Sequence, residues 1–308
     1  MPEKVKIFEV GPRDGLQILK TIMPTEAKIE WIKALADAGL NEIEVGSFVP
    51  AKLVPQMADT AIVIQRICET TDINITALVP NLRGAQDAMQ YGTSSIIVPI
   101  SVSELHSLAN TRKGTFAQIQ ELQRIVEWNK AQVKPMTIEA GCATAFGCSI
   151  EGMVSEARVV EVATALAGTG IDRLTLADTV GYANPAMIHS IVRKVRNSIG
   201  DILTKLHLHD TMGLGLANAL AGLDEGIRCF DSASAGLGGC PFAPGASGNI
   251  VTEDLVFMLE SMGFETGISL EKLFKAREIL RESLPQEVMR GSVGIAGIPK
   301  TYKTTSAY

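Results

Sequence analysis

The 308-residue chain lacks an excess of positive charge and any apolar stretch long enough to cross a membrane. Its formal net charge is −6, so we expect neither a nucleic-acid partner nor a membrane partner. A strand pattern begins at residues 5–10, which leaves no room for a signal or transit peptide before it. We therefore expect a cytoplasmic protein.

Paired cysteines are also missing. The five cysteines are odd in number, and their spacing fits neither a disulfide framework nor a zinc site. Reduced thiols in a cytosolic protein are the expectation that follows. Charged residues make up only 20% of the chain and apolar residues 46%, which is typical of an enzyme with a well-buried core.

Short apolar strands alternate with amphipathic helical segments along most of the chain. Eight such units predict an α/β fold, a parallel (β/α)8 TIM barrel. A doubly wound open sheet is the alternative, but residues 11–15 lack the glycine spacing of the phosphate loop expected after its first strand. We expect residues 1–265 to form the barrel and residues 266–308 to form a helical extension packed on it. The predicted strands are 5–10, 42–45, 73–79, 95–100, 136–139, 173–177, 203–209 and 229–233.

Two histidines lie one residue apart at the end of the predicted seventh strand. Alternate side chains of a strand face the same way, so His207 and His209 point to one side at one level. Two neutral imidazoles side by side make a natural pair of metal ligands. The ordinary alternative is a pair of hydrogen-bonded histidines in the core.

Other polar residues follow the ends of the predicted strands, where barrel enzymes carry their reacting groups. Each has an ordinary interpretation as a turn ion pair, a neutraliser of a nearby charge, a helix cap or a small buried thiol. Their convergence on one rim favours a common site instead. They are Arg13 and Asp14 after strand one, Glu44 at the end of strand two, Asp178 and Thr179 at the end of strand six, and Cys240 and Asn249 after strand eight.

Four of these residues could hold a metal ion. Asp14, His207, His209 and Asn249 offer two nitrogen and two oxygen ligands. This mixture suits one Mg²⁺ or Mn²⁺ ion with open positions better than it suits structural zinc. Cys240 stands among glycines, where a thiol can approach a substrate, and is a candidate proton donor or acceptor.

Several segments strongly resemble the 3-hydroxy-3-methylglutaryl-CoA (HMG-CoA) lyase family. The likeness extends over most of the chain, and the glycine–cysteine motif is highly specific. The segments are GPRDGLQ at 11–17, SFV at 47–49, VPQM at 54–57, SE at 103–104, HLHDT at 207–211, AGLGGCP at 235–241, GASGN at 245–249 and TEDL at 252–255.

The resemblance implies a retro-aldol cleavage that releases acetyl-CoA from a tertiary 3-hydroxyacyl-CoA. A divalent cation would chelate the C3 hydroxyl and a carboxylate oxygen, and His207 or Asp14 would accept the hydroxyl proton. Arg13, oriented by Glu44, would stabilise the enolate, and Cys240 or a metal-bound water would protonate it. The implied cation ligands are Asp14, His207, His209 and Asn249.

The chain departs from the family pattern around the acyl pocket. Ile18 and Leu19 replace Asn-Glu, Ala143 and Thr144 replace a Ser-Cys pair, and Ser234 and Phe242 replace Val and Tyr. HMG-CoA, giving acetoacetate, is the first choice of substrate, and (R)-citramalyl-CoA, giving pyruvate, is the alternative. A condensing enzyme of the isopropylmalate-synthase type would usually carry a further domain. A barrel that only binds acyl-CoA would be expected to lack some of the metal-binding residues or the arginine. This chain has all of them, which disfavours that alternative.

An acyl-CoA substrate requires residues that contact it. Lys52, Arg112 and Lys113 are candidates for the CoA phosphates, although solvated surface charge explains each of them as well. We also expect a homodimer or a higher homo-oligomer. The predicted substrate-binding residues are Gln17, Ser47, Ala143, Thr144, Thr179, Gly238 and Gly239.

Overall fold

Eight parallel strands close into a barrel in the computed structural model, which describes residues 2–238 and 248–302. Each strand pairs with the next one along the chain, and β8 pairs with β1. The predicted (β/α)8 TIM barrel is confirmed. The strands are β1 (Lys6–Glu9), β2 (Glu42–Ser47), β3 (Asn74–Leu78), β4 (Ser95–Ser101), β5 (Thr137–Ala143), β6 (Arg173–Asp178), β7 (Leu203–Leu208) and β8 (Cys229–Ser232).

Helices follow the strands and cover the barrel. Side chains of Asn81, Ser103, Ser155 and Asn184 each accept a backbone N–H from the first turn of their helix, which explains where α3, α4, α6 and α7 begin. No helix within residues 2–238 and 248–302 is long and apolar enough to cross a membrane. The helices are α1 (Thr25–Asp37), α2 (Thr60–Cys68), α3 (Leu82–Gln90), α4 (Glu104–Thr111), α5 (Thr115–Lys130), α6 (Glu156–Gly168), α7 (Pro185–Ile199), α8 (Gly215–Asp224), α9 (Thr252–Ser261), α10 (Leu270–Ser283) and α11 (Ser292–Ala296).

Helix α10, the second to last in the described chain, lies against α1 and α9. The backbone N–H of Ser269 donates to the carbonyl of Ala38 at 2.8 Å, and Lys272 lies 3.1 Å from the Asp37 carboxylate. Helix α10 therefore packs on the outside of the first strand–helix unit. The boundary that we placed at residue 265 stays a prediction.

Two strands extend by two or more residues beyond the ends that their sequence pattern indicated. β2 continues to Ser47, so Glu44 lies inside the strand and does not end it. β5 begins at Thr137 and ends at Ala143, and its pairing with β4 continues to Ser101 and Ala143. Both extensions contain a glycine, Gly46 or Gly141, which has no side chain to signal a strand.

The inside of the barrel holds charged side chains where such barrels usually hold bulky branched ones. Near the amino-terminal end, Arg173 lies 2.7 Å from Glu42. Lys205 lies further along, 2.9 Å from Glu139 and 2.7 Å from Asp231. These charges place an ionic layer directly beneath the carboxyl-terminal mouth.

Candidate metal centre and active site

Arg13 and Asp14 stand on a short π-helical turn, Gly11–Gly15, that directly follows β1. The turn opens because the carbonyl of Val10 accepts N–H groups from Arg13, Asp14 and Gly15 at 3.1, 2.7 and 3.4 Å. Both side chains are buried at the carboxyl-terminal end of the barrel. The sequence predicted their position at this rim, but it did not predict the π-helical turn.

His207 and His209 lie side by side, as strand alternation predicted. Their Nε2 atoms are 3.2 Å apart, and His209 Nε2 is 3.9 Å from Asp14 Oδ2. Ligand atoms of Asp14, His207 and His209 all lie within 4.8 Å of one another. Three buried ligand groups therefore converge on a space of the size that one metal ion occupies.

Asn249 completes this cluster. Its backbone pairs with His209, and its Nδ2 donates to Asp14 Oδ2 at 2.8 Å and to the Leu237 carbonyl at 3.1 Å. Its Oδ1 is buried and has no hydrogen-bond partner within the described ranges. An amide oxygen without a partner, beside a carboxylate and two imidazole nitrogens that face each other, is a donor set that fits a divalent cation.

Arg13 is held between two carboxylates. Its Nη1 lies 2.6 Å from Asp14 Oδ1, and its Nη2 lies 2.7 Å from Glu44 Oε2. Its Nε–H is buried and has no partner in the described part of the chain. The guanidinium is fixed in one plane and retains a donor for a substrate oxygen.

The charges of the cluster shift its titration. Burial opposes the charged form of Asp14, but the charge of Arg13 and the hydrogen bond from His209 hold its pKa well below the usual range. Burial also opposes charging of His207. The hydrogen bond and charge of Asp231, with the charge of Asp14, outweigh that effect and raise the pKa of His207. Asp14 is therefore an anionic ligand at neutral pH.

The predicted substrate-binding residues lie at the same end of the barrel. Gln17 Nε2 donates to Asp14 Oδ1 at 3.0 Å, and Ser47 ends β2 as a buried residue. Ala143 ends β5, and Gly238 lies so close to Asn249 that a Cβ there would stand 2.5 Å from Nδ2. Their contact with substrate stays a prediction.

Thr144 and Thr179 form hydrogen bonds within the protein. The backbone N–H of Thr144 donates to Thr179 Oγ1 at 2.7 Å, and Thr144 Oγ1 accepts from the backbone of Ser103 at 3.1 Å. Asp178 accepts the backbone N–H groups of Tyr182 and Ala183, so it holds the loop after β6. Their hydrogen bonds give these residues a part in shaping the rim.

The remaining sequence predictions fall at the edge of the described chain. Gly239, Cys240 and Phe242 lie outside the described residues. Ser234 is fully buried, and its hydroxyl donates to Glu253 at 3.0 Å. This hydrogen bond fixes the residue that directly precedes the AGLGGCP segment. Lys52, Arg112 and Lys113 are exposed in loops at the carboxyl-terminal rim.

Sequence reasoning missed three charged residues that lie beneath the histidines. Asp231 Oδ2 is 3.1 Å from His207 Nδ1. Asp231 also contacts Lys205, and Lys205 contacts Glu139. One signal was present, because Lys205 is two residues before His207 and so shares its face of β7. A lysine on the inner face of a buried strand needs a carboxylate partner.

Comparisons with known proteins identify the family of the chain. The HMGL-like family model matches residues 4–280. The chain is 41% identical to a hydroxymethylglutaryl-CoA lyase of Bacillus subtilis, over 92% of this chain and 94% of the relative. It is also 41% identical to the mitochondrial hydroxymethylglutaryl-CoA lyase of Mus musculus, over 92% and 87%. Since other relatives are named cytoplasmic, the location of this chain stays a prediction.

Solved structures show the same fold. An HMG-CoA lyase from Acinetobacter baumannii, in complex with coenzyme A and 3-methylmalate, superposes with a TM-score of 0.91 at 40% identity, covering 97% of each chain. The Bacillus subtilis HMG-CoA lyase superposes with a TM-score of 0.91 at 39% identity, covering 96% of this chain and 98% of that one. With the family model matched along nearly its whole length, this chain belongs to the HMGL-like family.

Proposed function

We propose that this protein cleaves a tertiary 3-hydroxyacyl-CoA into acetyl-CoA and an oxo acid, with HMG-CoA as the first substrate and acetoacetate as its second product. The observation that carries the proposal is the convergence of Asp14, His207 and His209 beside a guanidinium held in one plane. The named activity of relatives about 40% identical over most of the chain supports the choice of reaction.

We assign one Mg²⁺ or Mn²⁺ ion to Asp14, His207, His209 and Asn249. When bound by these residues, such an ion would supply Lewis-acid chemistry, making the C3 hydroxyl of the substrate more acidic and helping to orient it. Asp14 is the acceptor of the hydroxyl proton, because His207, with Nε2 on the cation and its Nδ1–H toward Asp231, has no free lone pair. As the C2–C3 bond breaks, C3 becomes a ketone, and the electron pair of the bond moves into the thioester as an enolate.

Arg13 stabilises the negative charge on the thioester oxygen. Its charge is buried beside the metal ligands, where a fixed cation acts more strongly than it would in water. Glu44 positions the guanidinium through the 2.7 Å contact with Nη2. A proton must then reach C2 of the enolate to give acetyl-CoA. The thiol of Cys240 is assigned to that step from the sequence alone.

Removal of the cation tests the metal assignment. We expect EDTA-treated protein to lose turnover, and Mg²⁺ or Mn²⁺ to restore it. Added Mg²⁺ should also raise the melting temperature, since a ligand at 100 times its Kd stabilises the native state by about 2.7 kcal/mol. His207→Ala should fold, lose most activity and lose the Mg²⁺-dependent rise. Full turnover by thoroughly chelated protein contradicts the assignment.

A second substrate has support of its own. The Acinetobacter baumannii HMG-CoA lyase holds 3-methylmalate, a five-carbon hydroxy dicarboxylate like the acyl group of citramalyl-CoA. In this chain the rim carries Ala143 and Thr144 at the end of β5. (R)-Citramalyl-CoA, cleaved to acetyl-CoA and pyruvate, is therefore the second candidate.

Identification of the oxo acid decides between the two substrates. Enzyme with Mg²⁺ is incubated with each acyl-CoA, and acetoacetate and pyruvate are assayed separately. Acetoacetate from HMG-CoA supports the first candidate, and pyruvate alone supports the second. Cleavage of neither thioester contradicts the proposed function. The predicted homodimer or higher homo-oligomer is measured by light scattering on the same samples.

A further inference from the structure

A row of buried charges leads from the middle of the barrel to His207. Lys205 precedes His207 by two residues on β7, so both side chains face the barrel interior. Its Nζ lies 2.9 Å from Glu139 Oε1 on β5 and 2.7 Å from Asp231 Oδ1 on β8. All three charged side chains are at most 5% exposed.

Asp231 connects this row to the candidate metal centre. His207 and Asp231 are direct neighbours across the parallel pairing of β7 and β8. Asp231 Oδ2 lies 3.1 Å from Nδ1 of His207, while Nε2 of His207 faces His209 at 3.2 Å. One nitrogen of the His207 ring therefore faces Asp231, and the other faces the candidate metal ligands.

Glu139 and Lys205 each have a further contact inside the barrel. Glu139 accepts a hydrogen bond from Thr175 Oγ1 at 2.5 Å, and the ring of Phe8 lies 4.3 Å from Lys205 Nζ. Burying three charges costs desolvation energy, and well-packed apolar side chains would fill the same space at least as stably. Stability alone therefore does not explain why the interior of this barrel is ionic directly below His207.

We propose that Asp231 is a positioning residue for His207, held in place by Lys205 and Glu139. The carboxylate of Asp231 accepts the Nδ1–H of His207, which keeps the lone pair on Nε2 and directs it toward Asp14 and His209. The inference rests on the proposed function, in which His207 Nε2 binds a divalent cation. A carboxylate behind a metal-binding histidine fixes both the tautomer and the angle of the ring.

The test compares two barrel variants with the same chemical change. Asp231→Asn replaces the carboxylate that contacts His207 with an amide, which can also present N–H groups to Nδ1 and favour the wrong tautomer. Glu42→Gln makes the same change in the Arg173–Glu42 pair, which lies in the same barrel and has no contact with His207 within the described ranges. Mn²⁺ affinity is measured by electron paramagnetic resonance, and folding by thermal unfolding.

We expect Asp231→Asn to bind Mn²⁺ roughly 10- to 100-fold more weakly than the wild-type chain, as is typical when such an outer partner is lost. Glu42→Gln should keep the wild-type affinity even where its melting temperature falls. Lys205→Met, which removes the charge that holds Asp231, should weaken binding in the same direction. Wild-type Mn²⁺ affinity in Asp231→Asn, or an equal loss in Glu42→Gln, overturns the proposal.

A measurement on the unaltered protein covers the case in which Asp231→Asn does not fold. The chain has only four histidines, so imidazole ¹⁵N resonances of histidine-labelled protein can be assigned one by one. The proposal requires His207 to carry its proton on Nδ1, both without metal and with Mg²⁺. The spectra are recorded at alkaline pH, where the ring is neutral, and a neutral His207 with its single proton on Nε2 overturns the proposal. If the wild-type chain binds no Mn²⁺, the proposed function fails, and the tautomer still decides the role of Asp231.

Discussion

The proposed role of Arg13 depends on the planar geometry of its guanidinium. Its guanidinium contacts Asp14 at 2.6 Å and Glu44 at 2.7 Å through two different nitrogens. A lysine ammonium has the charge but lacks the planar fork that meets both carboxylates and still leaves a donor free. We expect Arg13→Lys to lower kcat on the order of 100-fold, by analogy with the loss of an oxyanion donor. KM should change little.

Steady-state kinetics with the preferred acyl-CoA measures this split. A raised KM with normal kcat would make Arg13 an ordinary binding residue, because equal stabilisation of substrate and transition state leaves kcat unchanged. Mn²⁺ affinity, measured in parallel, shows whether the substitution has also displaced Asp14.

Ala143 is the residue at which the substrate preference can be tested most directly. Glu139 faces the barrel interior, where it contacts Lys205, so Ala143 four residues later on β5 faces the mouth. Ala143→Ser restores the serine that the family pattern carries there. We expect it to shift the ratio of kcat/KM values for HMG-CoA and citramalyl-CoA toward HMG-CoA. The shift should stay within the roughly 10- to 200-fold range that one small group in a pocket supplies.

Cys142→Ser is the matched control for this change. Cys142 is adjacent but faces away from the mouth, and it is fully buried. The substitution should lower stability without changing the substrate ratio. Equal ratios in wild type and Ala143→Ser mean that the end of β5 does not select the acyl group.

Single residues also show where sequence reasoning succeeds and where it stops. His207 and His209 could be paired from the sequence because strand alternation is a local rule. Glu139, Lys205 and Asp231 lie on three different strands, and only barrel closure brings their charges together. Both contacts of Arg13 were anticipated, with Glu44 as its orienting partner and with Asp14 as a turn ion pair, but the π-helical turn that carries Arg13 and Asp14 was not.

At the scale of elements, the turn Gly11–Gly15 is the part that places the active site. A Cβ on Gly11 would stand 2.5 Å from Glu9 Oε1 and 2.9 Å from the ring of Trp31, both of them buried. Neither neighbour can move freely, so Gly11→Ala must displace the turn that carries Arg13 and Asp14. We expect a loss of about 1–3 kcal/mol in the free energy of unfolding, the usual cost of overpacking. Mn²⁺ affinity should fall with it.

Gly168→Ala supplies the comparison. Gly168 ends α6, and a Cβ there would have no heavy atom within 4 Å. Alanine is a better helix former than glycine, so this variant should be as stable as the wild type or more stable. Chemical denaturation measures both variants. Wild-type stability and Mn²⁺ affinity in Gly11→Ala would mean that the turn adapts and does not fix Asp14.

The elements that the sequence left out share a physical reason. Helix α4 has only eight residues, and Gly11–Gly15 is a single turn, so neither contains enough residues for a 3.6-residue period to be recognised. The fifth strand was predicted to end at residue 139, two residues before Gly141, which has no side chain to signal a strand. The long amphipathic helices, such as the one that the pattern predicts at 116–131 and that the structure has as α5, could be found because their periodic pattern repeats several times.

At the scale of the whole molecule, alternation of strands and helices was enough to predict the closed barrel. The carboxyl ends of parallel strands meet at one end, and this rule placed Arg13, Asp14, His207 and Asn249 together before any distance was known. It could not predict how the last strand–helix unit joins the first. Glu9 makes that joint, since it accepts N–H groups from Gly11 and Ser234 and the hydroxyl of Thr252.

This joint makes stability depend on pH. Burial, opposed by hydrogen bonds from Ser234 and Thr252, raises the pKa of Glu9 to about 8. In the unfolded chain the group loses its proton near pH 4.5. Its contribution to stability is therefore complete below that pH and is lost as the pH rises toward 8, because the unfolded state then binds fewer protons than the native state. His207, whose pKa is also raised, acts in the same direction.

Glu9→Gln isolates the contribution of Glu9 from that of His207. The amide copies the neutral acid: its oxygen can accept from Gly11 and Ser234, and its nitrogen can donate to Thr252. We expect the variant to match the wild-type melting temperature at pH 5 and to exceed it at pH 8.5, where the wild-type carboxylate is charged and buried. Calorimetric scans across this range measure the difference. If the two melting curves stay parallel at every pH, Glu9 ionises in the folded barrel as it does in the unfolded chain, and the joint between the first and last units is not the source of the pH dependence.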